Sequence, residues 1–345
     1  MALVVVGCGS GASNGPSASS SAAPAGGAAG AASASAAVSG GSASTSIGQE
    51  LEQEFTAVVG RVSPSVVVIQ TTSGLGSGVV FDAQGDIVTN AHVVGTSTKF
   101  VVTTPDGRQL DAKLVGSFPP DDLAVVRASG PGLAQASFGD SSKLTVGTIV
   151  LAIGNPLGLQ SSVTEGIVSA LGRTVTEPGG AAIPGAIQTS ASINPGNSGG
   201  ALVDLDGAVI GIPTLTAIDP EIGGQAPGIG FAIPSAIVTD IASQLVQHGH
   251  VVSSHRAYLG VRAASVRNAP GVLIFAVDPG SPADKAGLVV GEVITDIAGK
   301  PTPDPAALAA VLATLAPGQT VPVSVVKPDG STAKVDVQLG ELPGS

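Results

Sequence analysis

The residues with the clearest capacity for chemistry lie in the segment Gln188–Gly200, which reads QTSASINPGNSGG. Within it, Ser198 follows Asn197 and precedes two glycines. A serine hydroxyl is a poor nucleophile at neutral pH, so it needs a nearby base and hydrogen-bond donors aimed at the oxyanion that its attack creates. Gly196 and Gly199 permit a tight turn in which the backbone N–H groups of Gly196 and Ser198 face one point. Glycine and serine are also common in ordinary loops, so the base and the acid must be found elsewhere in the chain.

One known setting for such a serine is the Gly-x-Ser-x-Gly elbow of the α/β-hydrolases, which Gly196–Gly200 matches. That elbow requires a helix after the serine, and an acid and a histidine further along the chain. The sequence that follows here is ALVDLDGAVIGI, which consists of two apolar runs around Asp206-Gly207. This pattern predicts a β-hairpin, so the hydrolase arrangement is excluded.

A histidine and an acid do occur before the serine. His92 follows a predicted strand in the segment TNAHVV, and Asp122 precedes the apolar run Leu123–Val126. A histidine beside valines is more often structural than catalytic, and an acid at the start of a strand is often a turn residue. The order histidine, aspartate, serine is nevertheless that of the chymotrypsin-like triad, and the three residues together are far more specific than any one of them.

The chain has 49 Gly, 25 Pro and 43% hydrophobic residues, a composition that predicts many short strands and turns instead of long helices. Such strands would have to position the histidine, the aspartate and the serine. A first series of β-branched runs comprises Ser65–Ile69, Gly78–Phe81, Asp86–Thr89, Phe100–Thr103 and Leu123–Val126. A second series comprises Thr148–Ile153, Val163–Ser169, Ala186–Ser190, Gly200–Leu205, Ala208–Ile212 and Gly228–Ile233. Two series predict two barrels with a site in the cleft between them.

Helices are predicted at both ends of this β-rich unit. Apolar spacing predicts a short helix over Glu50–Gly60, and a helix over Ser235–His248 closed by Gly249. We place this unit at residues 48–249 and a linker at residues 250–256. A small third unit follows at residues 257–342, with predicted strands and a helix at Val272–Val277, Val293–Ile297, Val321–Val326 and Pro305–Leu315.

The start of the chain has a different composition. Residues 1–8 end in the apolar run LVVVG and Cys8, the only cysteine, which is typical of a truncated lipoprotein signal whose cysteine carries a lipid. Residues 9–47 are almost wholly Ser, Ala and Gly, which predicts a disordered tether. We therefore expect an exported protein of the cell envelope, with membrane anchoring through Cys8 as one possibility and an inconsequential tail as the other.

Several other functions are excluded or disfavoured. Charged residues make up 11% of the chain with a net charge of −11, so no nucleic-acid partner is expected. Gly74–Gly78 reads GLGSG but precedes a strand, unlike a nucleotide-binding loop, and Asp204–Gly207 fits a hairpin turn better than a calcium loop. His248 and His250 could bind a metal but have no Cys or acid near them in the linker. We predict no metal and no cofactor.

The motifs as a set resemble the HtrA/Deg family of chymotrypsin-fold serine proteases over about Glu50–Leu342. They are TNAHVV, DDLAVV, GNPLG, SVTEGIVSALGR, QTSASINPGNSGGALVDLDGAVIGI and GIGFAIPS. The resemblance implies a mostly β fold, with two six-stranded barrels followed by a small α+β PDZ domain. It also implies that His92 is the general base, that Asp122 orients it and that Ser198 is the nucleophile. The oxyanion hole would comprise Gly196, Asn197 and Ser198.

Specificity and control are also implied by this resemblance. Ile193, Leu215 and Thr216 would border the substrate pocket, which lacks an acid and so favours a small or medium apolar residue over Lys or Arg. Pro213 departs from the family pattern. The neutral Asn197 excludes zymogen activation through an ion pair with a new N-terminus. Control would then come from loops over Leu157–Ser162, Gly179–Gly185 and Thr214–Gly224.

The third unit resembles a PDZ domain that captures C-terminal peptides. Tyr258, Leu259, Gly260 and Val261 match its carboxylate-binding loop, and Leu308 and Leu312 would line the helix side of the groove. The same apolar residues could serve only as core. The resemblance further implies a homotrimer.

The leading hypothesis is an ATP-independent serine endopeptidase that cleaves unfolded or damaged proteins outside the cytoplasm. One alternative is a latent PDZ-bearing holdase or stress sensor with little basal proteolysis. A second alternative is an esterase that uses the same triad.

Overall fold

The first element of the described chain is helix α1 (Ile47–Val62). Its start is fixed by a capping box, in which Ser46 Oγ accepts from Gln49 N while Gln49 Oε1 accepts from Ser46 N. The helix predicted over Glu50–Gly60 is confirmed. Ile47, which we predicted as the end of the tether, belongs to the helix because this box starts it earlier.

The computed structural model describes residues 46–71, 74–155, 162–176, 182–194, 196–219, 224–267 and 269–344. Cys8 and the tether up to residue 45 lie outside the described residues. No helix within the described ranges is long and apolar enough to span a bilayer.

Six strands close the first barrel in the order β1-β2-β3-β6-β5-β4. They are β1 (Val66–Gln70), β2 (Leu75–Val80), β3 (Asp86–Thr89), β4 (Lys99–Thr103), β5 (Gln109–Phe118) and β6 (Leu123–Ala128). A short helix, α2 (Ala91–Val94), follows β3. Every predicted run in this half is a strand, but β5 was missed because exposed polar residues alternate with its partly buried ones.

The second barrel closes in the order β10-β11-β12-β9-β8-β7. Its strands are β7 (Ile149–Gly154), β8 (Ser162–Thr176), β9 (Ala182–Thr189), β10 (Ala201–Val203), β11 (Val209–Asp219) and β12 (Gly224–Pro234). The predicted runs are confirmed, so the mostly β fold class with two barrels is correct.

The predicted control loops need correction. Ala182–Gly185 is the start of β9, and Thr214–Asp219 and Gly224 continue the paired strands β11 and β12. Their Gly and Pro residues suggested loops, but ladder pairing along the barrel extends these strands past the apolar runs. Residues 157–161, 177–181 and 220–223 lie outside the described residues.

Helix α3 (Ser235–His248) has the predicted bounds, and Gly249 closes it in the left-handed conformation with φ +75°. Val238, Ile241 and Leu245 are buried in the core shared by both barrels. Val251, in the predicted linker, is buried in the same core. The linker is therefore packed against the protease barrels at its start.

The third unit contains β13 (Ala257–Tyr258), β14 (Val261–Ser265), β15 (Val272–Val277), α4 (Pro282–Lys285), β16 (Val293–Ile297), β17 (Lys300–Pro301), α5 (Pro305–Leu312), β18 (Thr320–Val326), β19 (Thr332–Gln338) and β20 (Gly340–Glu341). Its main sheet has the order β14-β15-β16-β18-β19, which leaves β14 at an edge. The predicted helix ends early, at Leu312, because Thr314 and Leu315 donate to carbonyls three residues back, in a tightened last turn.

Candidate active site

His92 and Asp122 face each other where the two barrels meet. Asp122 follows a 3₁₀ turn, Pro119–Asp121, in a left-handed conformation with φ +51°. Its carboxylate oxygens lie 3.0 and 2.9 Å from His92 Nδ1, and Oδ1 also accepts from the His92 backbone N–H at 2.9 Å. A carboxylate only accepts, so we assign the imidazole proton to Nδ1, which makes Nε2 the basic nitrogen of the ring.

Burial differs sharply within this pair. The side chain of Asp122 is 3% exposed, whereas that of His92 is 45% exposed. The acid is shielded from water while the imidazole faces the cleft, where a substrate can reach it. Asn90 Nδ2 and the Ala91 N–H both donate to the Asp122 carbonyl at 3.1 Å, so the turn and α2 are fixed to each other.

Thr214 is a further member of this network that sequence reasoning missed. Its hydroxyl donates to Asp122 Oδ2 at 2.5 Å, and the residue is 4% exposed. The pairing of β11 with β12 shifts register between Pro213 and Leu215, so Thr214 lies in a β-bulge. Bulges re-aim side chains, and Pro213, which departs from the family pattern, is compatible with one because it has no N–H to donate. That departure was the available signal.

The neighbouring acid, Asp121, has a different partner. Its carboxylate lies 2.6 Å from Arg256 Nη1, in a pair whose side chains are 4% and 11% exposed. Burial raises the pKa of Asp121, an effect that Arg256 partly offsets and that Asp240 reinforces. The two adjacent aspartates therefore point to different parts of the molecule.

The loop around Ser198 presents two backbone N–H groups that could donate to an oxyanion. Gly196 and Gly199 have φ of +108° and +78°, which a side chain would disfavour. Asn197 N donates to the Asn194 carbonyl at 2.9 Å. Within the described ranges, by contrast, no group accepts from the N–H of Gly196 or of Ser198. These are the two donors predicted for the oxyanion.

The Ser198 hydroxyl itself is turned toward the second barrel. It donates to the Thr214 carbonyl at 3.2 Å. A hydroxyl has one proton, so in this rotamer that proton is engaged by the backbone.

Two of the predicted pocket residues lie on β11, where it pairs with β12. Leu215 and Thr216 are paired with Phe231 and Gly230. Ile193 is buried, and its Cγ1 lies 2.4 Å from where a Cβ at Gly230 would be. Only glycine fits at position 230, and this close approach brings Ile193 next to the pocket strands.

Both units of the chain resemble known protein domains. A family model described as a trypsin-like peptidase domain matches residues 76–212, and one described as a PDZ domain matches residues 257–339. The HtrA-type protease AlgW, solved with a decapeptide, is 32% identical with a TM-score of 0.58, and the match covers 84% of this chain and 99% of AlgW. The chain belongs to the HtrA family of serine proteases.

Curated HtrA relatives are longer than this chain. The periplasmic pH-dependent serine endoprotease DegQ of Escherichia coli is 39% identical, over 86% of this chain and 66% of DegQ. The serine protease PepD of Mycobacterium tuberculosis is 41% identical, over 82% of this chain and 65% of PepD. This HtrA chain thus spans slightly less than two thirds of either relative.

The PDZ unit of this HtrA chain has a groove between its first strands and α5. The groove is lined by all the residues predicted for it, namely Tyr258, Leu259, Gly260, Val261, Leu308 and Leu312. Leu259 and Leu308 are also buried members of the PDZ core. Pro119 and Pro120, from the turn before Asp122, line the same groove. The groove therefore opens beside the protease unit.

The phenol of Tyr258 is held in place. Its hydroxyl donates to Asp278 Oδ2 at 2.5 Å, and burial together with Asp278 raises the pKa of Tyr258 to about 12. Tyr258 is therefore a neutral donor throughout the physiological range.

The remaining metal candidates do not form a cluster. The rings of His248 and His250 have centroids 6.3 Å apart. No group of three or more His, Cys, Asp or Glu side chains among the described residues could hold a metal ion.

Proposed function

We propose that this chain is an ATP-independent serine endopeptidase that cleaves unfolded or damaged proteins outside the cytoplasm. The observation that carries the proposal is the network of His92, Asp122 and Thr214 beside a serine loop with two open N–H donors. That combination supplies a base, its orienting acid and an oxyanion site. Family membership supports the peptide bond as the substrate.

The mechanism follows from these atoms. Ser198 Oγ attacks the substrate carbonyl while His92 Nε2 takes its proton, and the new oxyanion accepts from the N–H groups of Gly196 and Ser198. His92 then gives that proton to the leaving amine as the C–N bond breaks. Water then attacks the acyl-enzyme in the same way, with His92 as the base, and the peptide product leaves with a new carboxyl group. Asp122 stays ionised and holds the imidazolium.

Substrate choice is proposed from the pocket and the PDZ groove. Ile193, Leu215 and Thr216 carry no charge, so a small or medium apolar residue would precede the scissile bond. The edge strand β14 is available for a C-terminal peptide to add as a further strand, with its carboxylate at the loop Tyr258–Val261. The groove and the open edge strand support capture of such peptides.

The cellular setting is likewise a proposal. DegQ is named periplasmic, which supports an exported envelope protein. We further propose a homotrimer, with possible anchoring through a lipid on Cys8.

One observation favours the alternative of a latent holdase or stress sensor. The Ser198 proton is donated to the Thr214 carbonyl, so this rotamer does not donate it to His92. A resting enzyme with this rotamer would need Ser198 to turn before it cleaves. Peptide binding in the PDZ groove beside Pro119 and Pro120 would be a route to that change.

The test is cleavage of casein by the full chain, by Ser198→Ala and by the control Ser331→Ala at the turn between β18 and β19. We expect the first substitution to reduce cleavage by more than about a thousandfold and the control to leave it unchanged. Equal cleavage by Ser198→Ala would contradict the proposed nucleophile.

Cleavage by no form, even with C-terminal peptides added, would favour the holdase, which suppression of aggregation would then measure. Comparing peptide and ester substrates of one sequence tests the esterase alternative.

A further inference from the structure

Ser77 is the fourth residue of the GLGSG segment Gly74–Gly78, to which the sequence analysis gave no function. It belongs to β2 of the first barrel and is fully buried. We infer that Ser77 is a positioning residue that fixes the oxyanion-binding loop Gly196–Gly199 from the opposite barrel. This inference rests on the proposed protease function and adds a residue to its machinery.

The contacts of Ser77 reach the loop at two points. Its Oγ donates to the Gly196 carbonyl at 2.5 Å, and its backbone N–H donates to the Ser198 carbonyl at 3.0 Å. The same Oγ accepts from Asn155 N at 2.8 Å, and Thr89 Oγ1 donates to the Ser77 carbonyl at 2.7 Å. Ser77 is therefore locked within its own barrel while it bonds three groups of the other.

These bonds fix the orientation of consecutive peptide planes. In a trans peptide, the carbonyl and the following N–H point in opposite directions, so fixing either end fixes the plane. The Gly196–Asn197 peptide is held at its carbonyl by Ser77 and at its N–H by Asn194. The Ser198–Gly199 peptide is held at its carbonyl by Ser77 and at its N–H by the Pro213 carbonyl at 3.0 Å.

The Asn197–Ser198 peptide lies between these two peptides, and its N–H, that of Ser198, is a predicted oxyanion donor. The Asn197 carbonyl accepts from Gly200 N at 2.9 Å, so the opposite end of that peptide, the Ser198 N–H, points away from the loop. Ser77 holds the planes on both sides of this peptide. The orientation of the Ser198 donor thus depends on Ser77, which also holds the carbonyl of Gly196, the residue that carries the other predicted donor.

The loop packs closely around Ser77, so the residue at position 77 must be small. It must also carry a hydroxyl group to make the hydrogen bonds described above. A Cβ at Gly199 would lie 2.2 Å from the Ser77 carbonyl oxygen, and a Cβ at Gly154 would lie 2.9 Å from the Gly196 carbonyl oxygen. The Ser77→Ala substitution fits the space but leaves the partly buried Gly196 carbonyl and the buried Asn155 N–H without their partner. Such groups turn to find another partner, and the Gly196–Asn197 plane turns with them.

The expected effect is on the transition state. Loss of one oxyanion donor reduces kcat by about 100- to 1000-fold in a serine protease. Because Ser77→Ala misaligns donors without deleting one, we expect kcat to fall by about 10- to 100-fold with KM within about threefold. Inhibition by a peptide aldehyde, whose adduct carries an oxyanion, should weaken in parallel, whereas binding of an uncleaved peptide of the same sequence should not.

Ser235 provides a matched control. It is also fully buried, and its Oγ donates to the Gly139 carbonyl at 2.7 Å and accepts from Ser141 N at 3.2 Å. Ser235→Ala therefore removes the same kind of hydrogen bonds without touching the loop. We expect a similar fall in Tm in both variants, and the loss of kcat and of aldehyde affinity only in Ser77→Ala.

The inference is overturned if Ser77→Ala keeps kcat within twofold, or if Ser235→Ala loses as much. Failure of the proposed function is a separate outcome, seen when the unsubstituted chain itself does not cleave. In that case, crystal structures of the unsubstituted chain and Ser77→Ala decide: a turned Gly196–Asn197 peptide supports the inference and an unchanged one contradicts it.

Discussion

The carboxylate of Asp122 receives three different donors, and each contributes to holding one imidazole. The backbone N–H and the ring of His92 approach from α2, while the hydroxyl of Thr214 approaches from β11 of the other barrel. Hydrogen bonds to a charged group contribute about 1.5 to 3 kcal/mol each. Thr214 therefore ties Asp122 of the first barrel to the second barrel, which carries the proposed nucleophile Ser198.

We predict that Thr214→Val reduces kcat by about tenfold with little change in KM, because Asp122 loses a donor and the imidazole is held less firmly. Thr214→Ser keeps the hydroxyl and should retain most of the activity. Steady-state kinetics on a peptide substrate would measure both. Equal losses in the two variants would contradict the prediction, because Thr214→Ser keeps the hydroxyl that Thr214→Val lacks.

Sequence reasoning found the residues proposed to react, but not the residues that the structure places in hydrogen bonds around them. His92, Asp122 and Ser198 are recognisable because three chemical types occur in a known order. Thr214 and Ser77 are ordinary hydroxyl residues until a bulge and a contact between barrels bring them to the site. Their roles depend on tertiary contacts, which local pattern does not encode.

At the scale of elements, the sequence predicts strands that are buried on both faces. It does not always predict strands in which buried and exposed residues alternate. β1 and β3 are almost wholly buried β-branched runs, whereas β5 alternates Gln, Asp and Lys with apolar residues and was missed. The lengths of β8, β11 and β12 were also underestimated. Pairing with a neighbour in a closed barrel extends a strand beyond its apolar centre.

The end of β7 is packed directly against the oxyanion loop. A Cβ at Gly154 would lie 2.7 Å from Asn197 Cα and 2.9 Å from the Gly196 carbonyl oxygen, so backbone must move to admit it. We predict that Gly154→Ala lowers the free energy of unfolding by about 1 to 3 kcal/mol and reduces kcat more than KM. Thermal unfolding and peptide kinetics would measure the two effects.

Gly60 of α1 is the control for this substitution, since nothing lies within 4 Å of its added Cβ. Gly60→Ala should leave activity unchanged and stabilise the helix by up to about 1 kcal/mol. Unchanged activity in Gly154→Ala as well would contradict a tight fit between β7 and the loop.

At the scale of the whole molecule, the protease and PDZ units are joined through a polar contact next to the triad. Arg256, the last linker residue before the PDZ unit, donates to the Pro120 carbonyl and pairs with Asp121 at 2.6 Å. The linker is also bonded to the end of the PDZ unit, because Glu341 Oε1 accepts from Ser253 Oγ at 2.6 Å and from His255 N at 2.8 Å. The turn that carries Asp122 is thereby tied to the PDZ unit.

The Asp121–Arg256 pair gives the last prediction. Removing one partner of a buried pair leaves an uncompensated charge, so we expect Arg256→Met to lower the free energy of unfolding by about 3 to 5 kcal/mol at pH 7. Asp121→Asn combined with Arg256→Met removes both charges and should recover most of that loss. The exposed pair of Arg262 and Asp278, at 3.6 Å, supplies the control, because Arg262→Met should cost less than about 1 kcal/mol.

The dependence on pH separates this account from a simple packing defect. Burial already raises the pKa of Asp121, and loss of Arg256 removes a group that lowers it, so in Arg256→Met the folded chain takes up this proton more readily than the unfolded chain. The deficit of Arg256→Met should therefore shrink as pH falls from 7 toward 3.8, the ordinary Asp value. Urea unfolding at several pH values would measure it. A deficit that is constant with pH, or equally large in the double variant, would show that Arg256 acts through its aliphatic packing and not through the charge of Asp121.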